Sequence, residues 1–284
     1  MLILFIAYFI WSVHDTVIKL LTADYSGAQI MFFGRLFTIP FAIALAARRG
    51  GLGGLATKRP LLHILRGGMS TADMLLFVGA IALAPMADVF VITFVTPLIM
   101  LVLSTMFLGE RPPLQRWIAV ILGFIGVLVV MQPAGAGYGY SSLLALGSAL
   151  TYAVFLVLTR DMTRTESVPA LMLWNSLVVM AVMIVLMLPF WKTPTGDEVW
   201  LFLFISVTGV LGQYLTTEAF RSGEASLLAP LQYTTLIWAA IAGYLVFGDM
   251  PTPMLLVGAV IIIGSALYIA QDEARNHRRA ERIA

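Results

Sequence analysis

The sequence contains no cysteine among its 284 residues. That absence excludes disulfide bonds, thiolate catalysis and cysteine-based metal sites, and it leaves the redox compartment open. Charge is also scarce, because 11% of residues are charged against roughly 25% in an average soluble domain. With 60% hydrophobic residues and a mean hydropathy of +0.95, the chain has too few polar side chains to cover itself in water.

Nucleotide-binding and metal-binding patterns are missing as well. There is no Gly-rich phosphate-binding loop, which argues against a self-contained ATP-driven pump. Of the three histidines, only His14 lies in an apolar segment, since His63 and His277 fall in a predicted loop and in the C-terminal tail. An intramembrane enzyme needs a nucleophile–base pair or a metal cluster at usable depth. We therefore predict no metal, no cofactor and no enzymatic activity.

Long apolar runs make up most of the chain. A membrane helix needs about 20 mostly apolar residues, and the bilayer provides no water for unpaired backbone groups, so helices are the expected element. The first run starts at Leu2 without a basic stretch before it, so no cleaved signal peptide is expected. The predicted spans are 2–21, 26–47, 67–84, 86–108, 115–132, 141–159, 167–190, 198–220, 225–247 and 252–270. The predicted fold is thus an all-α polytopic membrane protein with ten transmembrane helices.

The basic residues of the loops predict how these spans are oriented. Cytoplasmic loops carry an excess of Lys and Arg, and 14 of the 17 basic residues fall in even-numbered loops and the tail. Those residues are Arg48, Arg49, Lys58, Arg59, Arg66, Arg111, Arg116, Arg160, Arg164, Arg221, Arg275, Arg278, Arg279 and Arg282. We expect both termini in the cytoplasm and the chain in the cell inner (plasma) membrane. Because the basic residues lie in short loops, no nucleic-acid partner is predicted.

A Gly-acid-x-Pro loop occurs twice and reveals an internal repeat. The pairs that share one offset are Gly109/Gly248, Glu110/Asp249, Pro112/Pro251, Ala80/Ala219, Ala87/Ser226, Thr93/Gln232, Phe94/Tyr233 and Thr96/Thr235. Such a loop could simply end one helix and start another, but that does not explain the shared offset. We predict two repeats, 1–132 and 141–270, joined by the Gly-rich loop 133–140 and followed by a basic tail, 271–284. Each repeat holds five spans, an odd number, so the two cross the membrane in opposite senses.

These residues resemble the drug/metabolite transporter superfamily, specifically its EamA-type members. The most specific stretches are 87–97, the run Gly109-Glu110-Arg111-Pro112 with Trp117 and 123–127, and 229–233. The resemblance implies ten helices in two inverted repeats and alternating access, and leaves the substrate open. The second half departs at Leu236, where many relatives carry the proline present here as Pro97, so the resemblance assures a helix break only in the first half.

Buried charge points to a binding site in the first half. An ionisable side chain in the bilayer interior costs a few kcal/mol and normally faces a cavity or a partner. Arg35 lies about 14 Å inside its span at 1.5 Å per residue, and its planar fork of donors suits an anionic group. The alternative is a buried ion pair of Arg35 with Asp73 or Asp15, and the two interpretations are compatible.

Span one presents Trp11, Asp15 and Lys19 at four-residue intervals, so one helix face is too polar for lipid. His14 changes charge near neutral pH, and Asp15 is a candidate proton carrier. The alternative is that Asp15 pairs with Lys19, one turn nearer the outer surface.

Amides and aromatics of the second half complete the predicted site. They are Trp174, Asn175, Gln213, Tyr214, Gln232 and Tyr233. Such groups hydrogen-bond and stack on a planar polar solute, although singly they more often hold membrane helices together. The predicted function is a secondary transporter of an amino-acid-like, zwitterionic or cofactor-like solute, with an intramembrane enzyme or a channel-like pore as alternatives. Its partners are the solute and the lipid bilayer. A coupling proton is one alternative, beside exchange and facilitated diffusion, and the chain is a monomer or a homodimer.

Overall fold

A computed structural model of the chain describes residues 2–49, 51–84, 86–131, 139–222, 231 and 234–248, together with 257, 260, 261, 264 and 268. All regular secondary structure in these ranges is helical. The helices are α1 (Leu2–Leu21), α2 (Gly27–Leu36), α3 (Thr38–Arg48), α4 (Pro60–Leu83), α5 (Met86–Thr93), α6 (Thr96–Leu108), α7 (Leu114–Met131), α8 (Tyr140–Met162), α9 (Val168–Met187), α10 (Glu198–Ser222) and α11 (Thr235–Ala242). Short 3₁₀ turns cover Leu52–Leu55 and Leu188–Phe190, and a π-helical turn covers Gly243–Phe247.

Six described helices are long and apolar enough to cross a membrane. They are Leu2–Leu21, Gly27–Arg48, Pro60–Leu83, Tyr140–Met162, Val168–Phe190 and Glu198–Arg221. Their outward faces carry large apolar side chains, of which Leu61 is 79% exposed and Trp200 68%. Apolar exposure on this scale suits a lipid environment rather than water. The chain is therefore a multi-pass helical membrane protein.

The predicted start of the third span is wrong. Sequence patterning placed it at residue 67, whereas α4 begins at Pro60. His63 and Arg66 suggested a loop, yet both side chains are almost fully buried against neighbouring helices. Proline suits the first turn of a helix, where its missing N–H is not needed. Arg66 therefore belongs to the membrane-spanning part of the protein and not to the basic loop.

Two spans of the first half are interrupted near their middle. The second changes from α2 to α3 at Phe37, and the fourth changes from α5 to α6 at Phe94 and Val95. In the second half, α11 begins at Thr235, the repeat partner of Thr96, where α6 begins. A helix start therefore occurs at this level in both halves, although Leu236 stands where the first half has Pro97.

Local backbone features repeat between the halves. Ser26 caps α2 by accepting from the backbone N–H of Gln29, and Ser167 caps α9 in the same way through Ala170. Gly109 and Gly248 both follow their helices with positive φ values, 66° and 73°. Glycine adopts this left-handed conformation without the steric cost of a Cβ atom. The two Gly-acid-x-Pro loops therefore start from the same backbone geometry.

Packing between helices follows the pseudo-twofold relation that an inverted repeat requires. Under that relation α1 corresponds to α8, α2 and α3 to α9, α4 to α10, and α6 to α11. The contact of α4 with α8 is matched by α10 with α1, and that of α4 with α9 by α10 with α2. The contact of α6 with α8 is matched by α11 with α1, and α2 packs on its own counterpart α9. Each half thus buries its first helices against the other half.

Close approach of α4 and α9 depends on Gly67. A Cβ atom at Gly67 would lie 2.6 to 3.0 Å from three side-chain carbons of Val178, whereas one at Gly68 would meet nothing within 4 Å. Valine is stiff at χ1, so Val178 cannot swing away from an added methyl group.

We expect Gly67→Ala to destabilise the protein by about 1–3 kcal/mol, because it overpacks this contact. Gly68→Ala is the matched control and should be neutral or stabilising, since alanine is the better helix former. Thermal unfolding in detergent measures the difference. Equal midpoints for the two variants would contradict the described α4–α9 contact.

Candidate functional site

A central cavity of about 150 Å³ lies between the two halves. Side chains of α1, α2, α4, α5, α6, α8, α10 and α11 line it, so both repeats contribute. Seven of the lining residues are aromatic: Tyr8, Trp11, Phe77, Phe90, Phe94, Tyr152 and Phe155. Hydroxyl side chains supply much of the polar surface: Ser70, Thr93, Thr96, Ser148, Thr159, Thr216, Thr217 and Thr235. The cavity thus combines stacking surfaces with many hydrogen-bonding groups.

Six of the residues predicted for the site lie together on this cavity: Trp11, His14, Asp15, Arg35, Asp73 and Gln213. They come from α1, α2, α4 and α10, which are separate in the sequence and adjacent in the fold. Asp15 and Arg35 are each near enough to Asp73 for an electrostatic interaction. Charges of both signs therefore face a single enclosed space.

Arg35 is buried, with 6% of its surface exposed. Its Nη1 donates to Oε1 of Gln213, its Nη2 lies 3.5 Å from the sulfur of Met74, and its guanidinium lies 5.9 Å from the ring centroid of Trp11. No ion pair within 4 Å joins Arg35 to Asp15 or Asp73 in the described part of the chain. The buried ion pair considered from the sequence is thus not formed, and Arg35 keeps donors for another anion.

The two carboxylates differ in their surroundings. Asp73 accepts a hydrogen bond of 2.7 Å from the hydroxyl of Ser148. Asp15, one turn beyond Trp11 on α1, has no hydrogen-bond donor or basic nitrogen within bonding distance among the described residues. An ionised carboxylate offers about four acceptor positions, so both groups retain unused capacity toward the cavity.

Trp11 and His14 are held in place by α10. The indole N–H of Trp11 donates to Thr216 at 3.0 Å, and Nδ1 of His14 lies 2.9 Å from the hydroxyl oxygen of Thr208. That hydroxyl donates to the carbonyl of Phe204 at 2.8 Å, so its oxygen is the acceptor from His14. The two rings meet edge to face, with centroids 5.1 Å apart. Both rings are therefore fixed by the opposite half.

Glycines on α10 allow this approach. A Cβ atom at Gly212 would lie 2.8 Å from the indole ring of Trp11, and one at Gly209 would lie 2.6 Å from the carbonyl oxygen of Gly34. Larger residues at these positions would push α1 and α2 away from α10. The site residues of the first half therefore depend on small residues of the second.

Three other predicted residues do not line the cavity. The indole N–H of Trp174 donates to the carbonyl of Leu55 at 3.1 Å, and Asn175 donates to the hydroxyl of Ser70, behind the cavity wall, at 3.4 Å. The hydroxyl of Tyr214 accepts from Arg49 at 2.8 Å. The predicted residues Gln232 and Tyr233 lie outside the described residues.

Polar contacts tie loops together at both ends of the cavity. On the face where α1 begins, Arg59 pairs with Asp161 at 2.9 Å and Thr57 donates to Glu166 at 2.8 Å. We call these four residues the N-face cluster. It joins the α3–α4 and α8–α9 connections.

The opposite face carries a corresponding set of contacts, which we call the far-face cluster: Asp24, Tyr25, Gln29, Lys192 and Glu198. Lys192 pairs with Asp24 at 3.2 Å, its backbone bonds to the Gln29 amide, and Tyr25 donates to Glu198. Burial and the Glu198 carboxylate raise the pKa of Tyr25 to about 12. This cluster joins the α1–α2 and α9–α10 connections, which are the repeat counterparts of those in the N-face cluster.

Comparison with known proteins matches residues 1–132 and 139–271 to the EamA-like transporter family. The chain belongs to the EamA-like transporter family. The S-adenosylmethionine uptake transporter of Rickettsia bellii (strain RML369-C) is 30% identical over 268 residues, covering 93% of this chain and 90% of the relative. The riboflavin transporter of Vibrio cholerae serotype O1 is 29% identical over 248 residues, covering 87% of this chain and 82% of the relative.

A third relative and a solved structure agree with this family membership. The pseudopaline exporter CntI of Pseudomonas aeruginosa is 26% identical over 270 residues, covering 94% of each chain. A crystal structure with 20% sequence identity superposes with a TM-score of 0.80 and covers 97% of both chains, which supports the fold. The relatives support small-molecule transport as the function of this EamA-like chain.

Several cavity residues were missed at the level of sequence. Tyr8 and Tyr152 line the cavity. A loose alignment of spans one and six, two residues off the offset of the Gly-acid-x-Pro loops, places Tyr152 opposite Trp11 and could have identified it. The serines and threonines carry no such signal, because a hydroxyl in a membrane helix often bonds to its own backbone. Thr217 does so, donating to the carbonyl of Gln213 at 2.7 Å.

We expect Arg35→Ala to lower the affinity for the transported solute at least tenfold, because it removes the only cavity-facing cation among the described residues. Arg48→Ala is the control, since Arg48 ends the same span and is exposed. Uptake into proteoliposomes by each folded variant gives the comparison. Wild-type affinity and rate in Arg35→Ala would remove Arg35 from the site.

Proposed function

We propose that this chain is a secondary carrier that moves a small organic metabolite by alternating access around the central cavity. The observation that carries the proposal is the position of the cavity between two inverted repeats, with Arg35 and two carboxylates facing it. Secondary transporters of inverted-repeat design bind their solute near the midplane, between the halves. We further propose a bacterial inner-membrane location with both termini in the cytoplasm, which the loop charges support.

The two polar clusters support an alternating mechanism. Repeat-related connections are joined at each membrane face, by the N-face cluster and by the far-face cluster. The two ion pairs among these contacts, Arg59–Asp161 and Lys192–Asp24, lie on partly or fully exposed side chains, where such a pair contributes about 0–1 kcal/mol. Contacts this weak can break and re-form during transport. Opening one face while the other stays joined would expose the cavity to each side in turn.

The solute that we propose is amino-acid-like, zwitterionic or cofactor-like. Arg35 offers a planar pair of donors for a carboxylate, and the aromatic side chains offer stacking surfaces. Relatives named for S-adenosylmethionine and riboflavin support a solute with a planar ring system. The cavity volume of about 150 Å³ is below the roughly 300–1,000 Å³ of drug-sized pockets. This conformation therefore suits an amino-acid-sized solute or one end of a larger one.

Proton coupling is one of three modes of transport that this cavity allows. Asp15, Asp73 and His14 line the cavity, and each can change its protonation within a transport cycle. Exchange and facilitated diffusion use the same cavity without a proton. A monomer and a homodimer are equally compatible with a cavity that is contained within one chain.

We expect saturable uptake into proteoliposomes that is accelerated by unlabelled solute on the opposite side. Such trans-stimulation arises because a loaded carrier reorients faster than an empty one, whereas a pore shows none. The panel should include S-adenosylmethionine, riboflavin and amino acids, with liposomes lacking protein as the control.

A pH gradient, applied separately, should drive uptake in the wild type and not in Asp73→Asn if Asp73 carries the proton.

Background flux for the whole panel, from protein shown to be folded, would contradict the carrier proposal. Linear, non-saturating flux without trans-stimulation would favour the channel-like alternative.

A further inference from the structure

Resting on the proposed carrier function, we infer that the solute is an organic cation that also carries a carboxylate. Such a solute has a net positive charge, because it contains two cationic centres and one anionic group. The inference comes from the charged groups that line the central cavity and from the bonds they lack. It narrows the solute beyond the amino-acid-like class.

Charges facing the cavity are unbalanced. Among the described lining residues one side chain is basic, Arg35, and two are acidic, Asp15 and Asp73. With histidine counted as neutral, the lining has one more negative than positive group. A bound zwitterion leaves that difference unchanged, whereas a solute of net charge +1 cancels it.

The unused hydrogen-bonding capacity of these side chains points to the same solute, with one carboxylate and two cationic centres. Arg35 uses one donor on Gln213 and places another against a thioether sulfur, which is a weak acceptor. Asp73 receives a single bond, from Ser148, and Asp15 receives none from the described residues. Buried polar groups that lack hydrogen-bond partners cost free energy until a bound ligand supplies those partners. A carboxylate for Arg35 and one cationic centre for each aspartate would supply those partners.

Arg66, the nearest other buried cation, does not compensate the two aspartates directly. It lies behind the cavity wall, where Nε donates to Thr159 at 2.7 Å and Nη1 donates to the carbonyl of Leu171 at 2.9 Å. Its guanidinium sits 4.7 Å from the ring centroid of Phe155. Thr159 and Phe155 line the cavity, but Arg66 itself does not. The charged group nearest in effect to Asp15 is Asp73, and the one for Asp73 is Arg35, so Arg66 is a charge partner of neither aspartate.

Aromatic rings around the acidic groups suit a cation that binds water poorly. Trp11 already has the guanidinium of Arg35 within 5.9 Å of its ring centroid. Tyr152 and Phe155 stack with centroids 6.1 Å apart and line the same space. Aromatic faces attract sulfonium, guanidinium and quaternary ammonium groups through their quadrupole. The second cationic centre of the solute can therefore contact both an aspartate carboxylate and an aromatic ring.

Two pairs of probes differ in this one charge. S-adenosylmethionine has a sulfonium, an ammonium and a carboxylate, and S-adenosylhomocysteine lacks the sulfonium charge. L-arginine and L-citrulline differ in the same way at smaller size. We expect the purified wild-type protein to bind the charged member at least tenfold more tightly, in one pair or both, as measured by calorimetry.

Variants locate the selectivity within the cavity. Asp15→Asn and Asp73→Asn each remove one negative charge and should reduce the preference for the charged probe below threefold. Asp197→Asn is the charge-matched control, because Asp197 lies exposed in the α9–α10 connection, and it should keep the full preference. Where an aspartate variant does not fold, the ratio in the wild type decides alone.

A wild-type ratio below tenfold in both pairs would overturn the inference, since a proton would then neutralise the second carboxylate. Transport of a neutral or anionic solute such as riboflavin, without binding of either cationic probe, would also overturn it while leaving the carrier function intact. Absence of flux for cationic, neutral and anionic metabolites alike would reject the carrier function and with it the inference.

Discussion

The cost of placing charge inside a bilayer constrains this protein more than any other factor. An ionised side chain at that depth costs a few kcal/mol or more unless it meets a partner or water. In the described spans, four charged residues lie six or more residues from either end: Asp15, Arg35, Arg66 and Asp73. Arg66 donates to a hydroxyl and a carbonyl within the protein and lies over an aromatic ring, with Nη2 left without a hydrogen-bond partner among the described residues. The other three face one cavity, and the fold is arranged around them.

That arrangement depends on the inverted repeat. Because α10 packs on α1 and α2, the second half supplies Thr208, Gln213 and Thr216 as partners for the charged and aromatic groups of the first. Glycines at 209 and 212 bring the helices close enough for those bonds. The charged residues themselves come from the first half alone. Both repeats therefore form the walls of the cavity, whereas its charged side chains all come from the first repeat.

Hydrophobic runs and the Gly-acid-x-Pro repeat were enough to predict the helical fold and its two halves, because membrane helices are constrained by length and by backbone hydrogen bonding. The family match confirms two EamA repeats. The predicted start of the third span was wrong at Arg66. In the sequence alone, a buried arginine near the start of a helix cannot be distinguished from an arginine in a cytoplasmic loop. Trp174 and Tyr214 were predicted for the site by residue type alone. In the structure Trp174 bonds to the loop carbonyl of Leu55, and Tyr214 bonds to Arg49 at the helix end.

The native absence of cysteine allows one direct measurement of the central claim, that the solute binds in a cavity reached from both faces. Thr93 lines that cavity, and its hydroxyl donates to the Phe90 carbonyl of its own helix and to no other group among the described residues. Thr93→Cys therefore adds a single thiol there with little disturbance. We expect membrane-impermeant thiol reagents to label it in vesicles of either orientation, and the transported solute to slow labelling from both sides. Labelling from one face only, or at a rate that the solute does not change, would contradict the account.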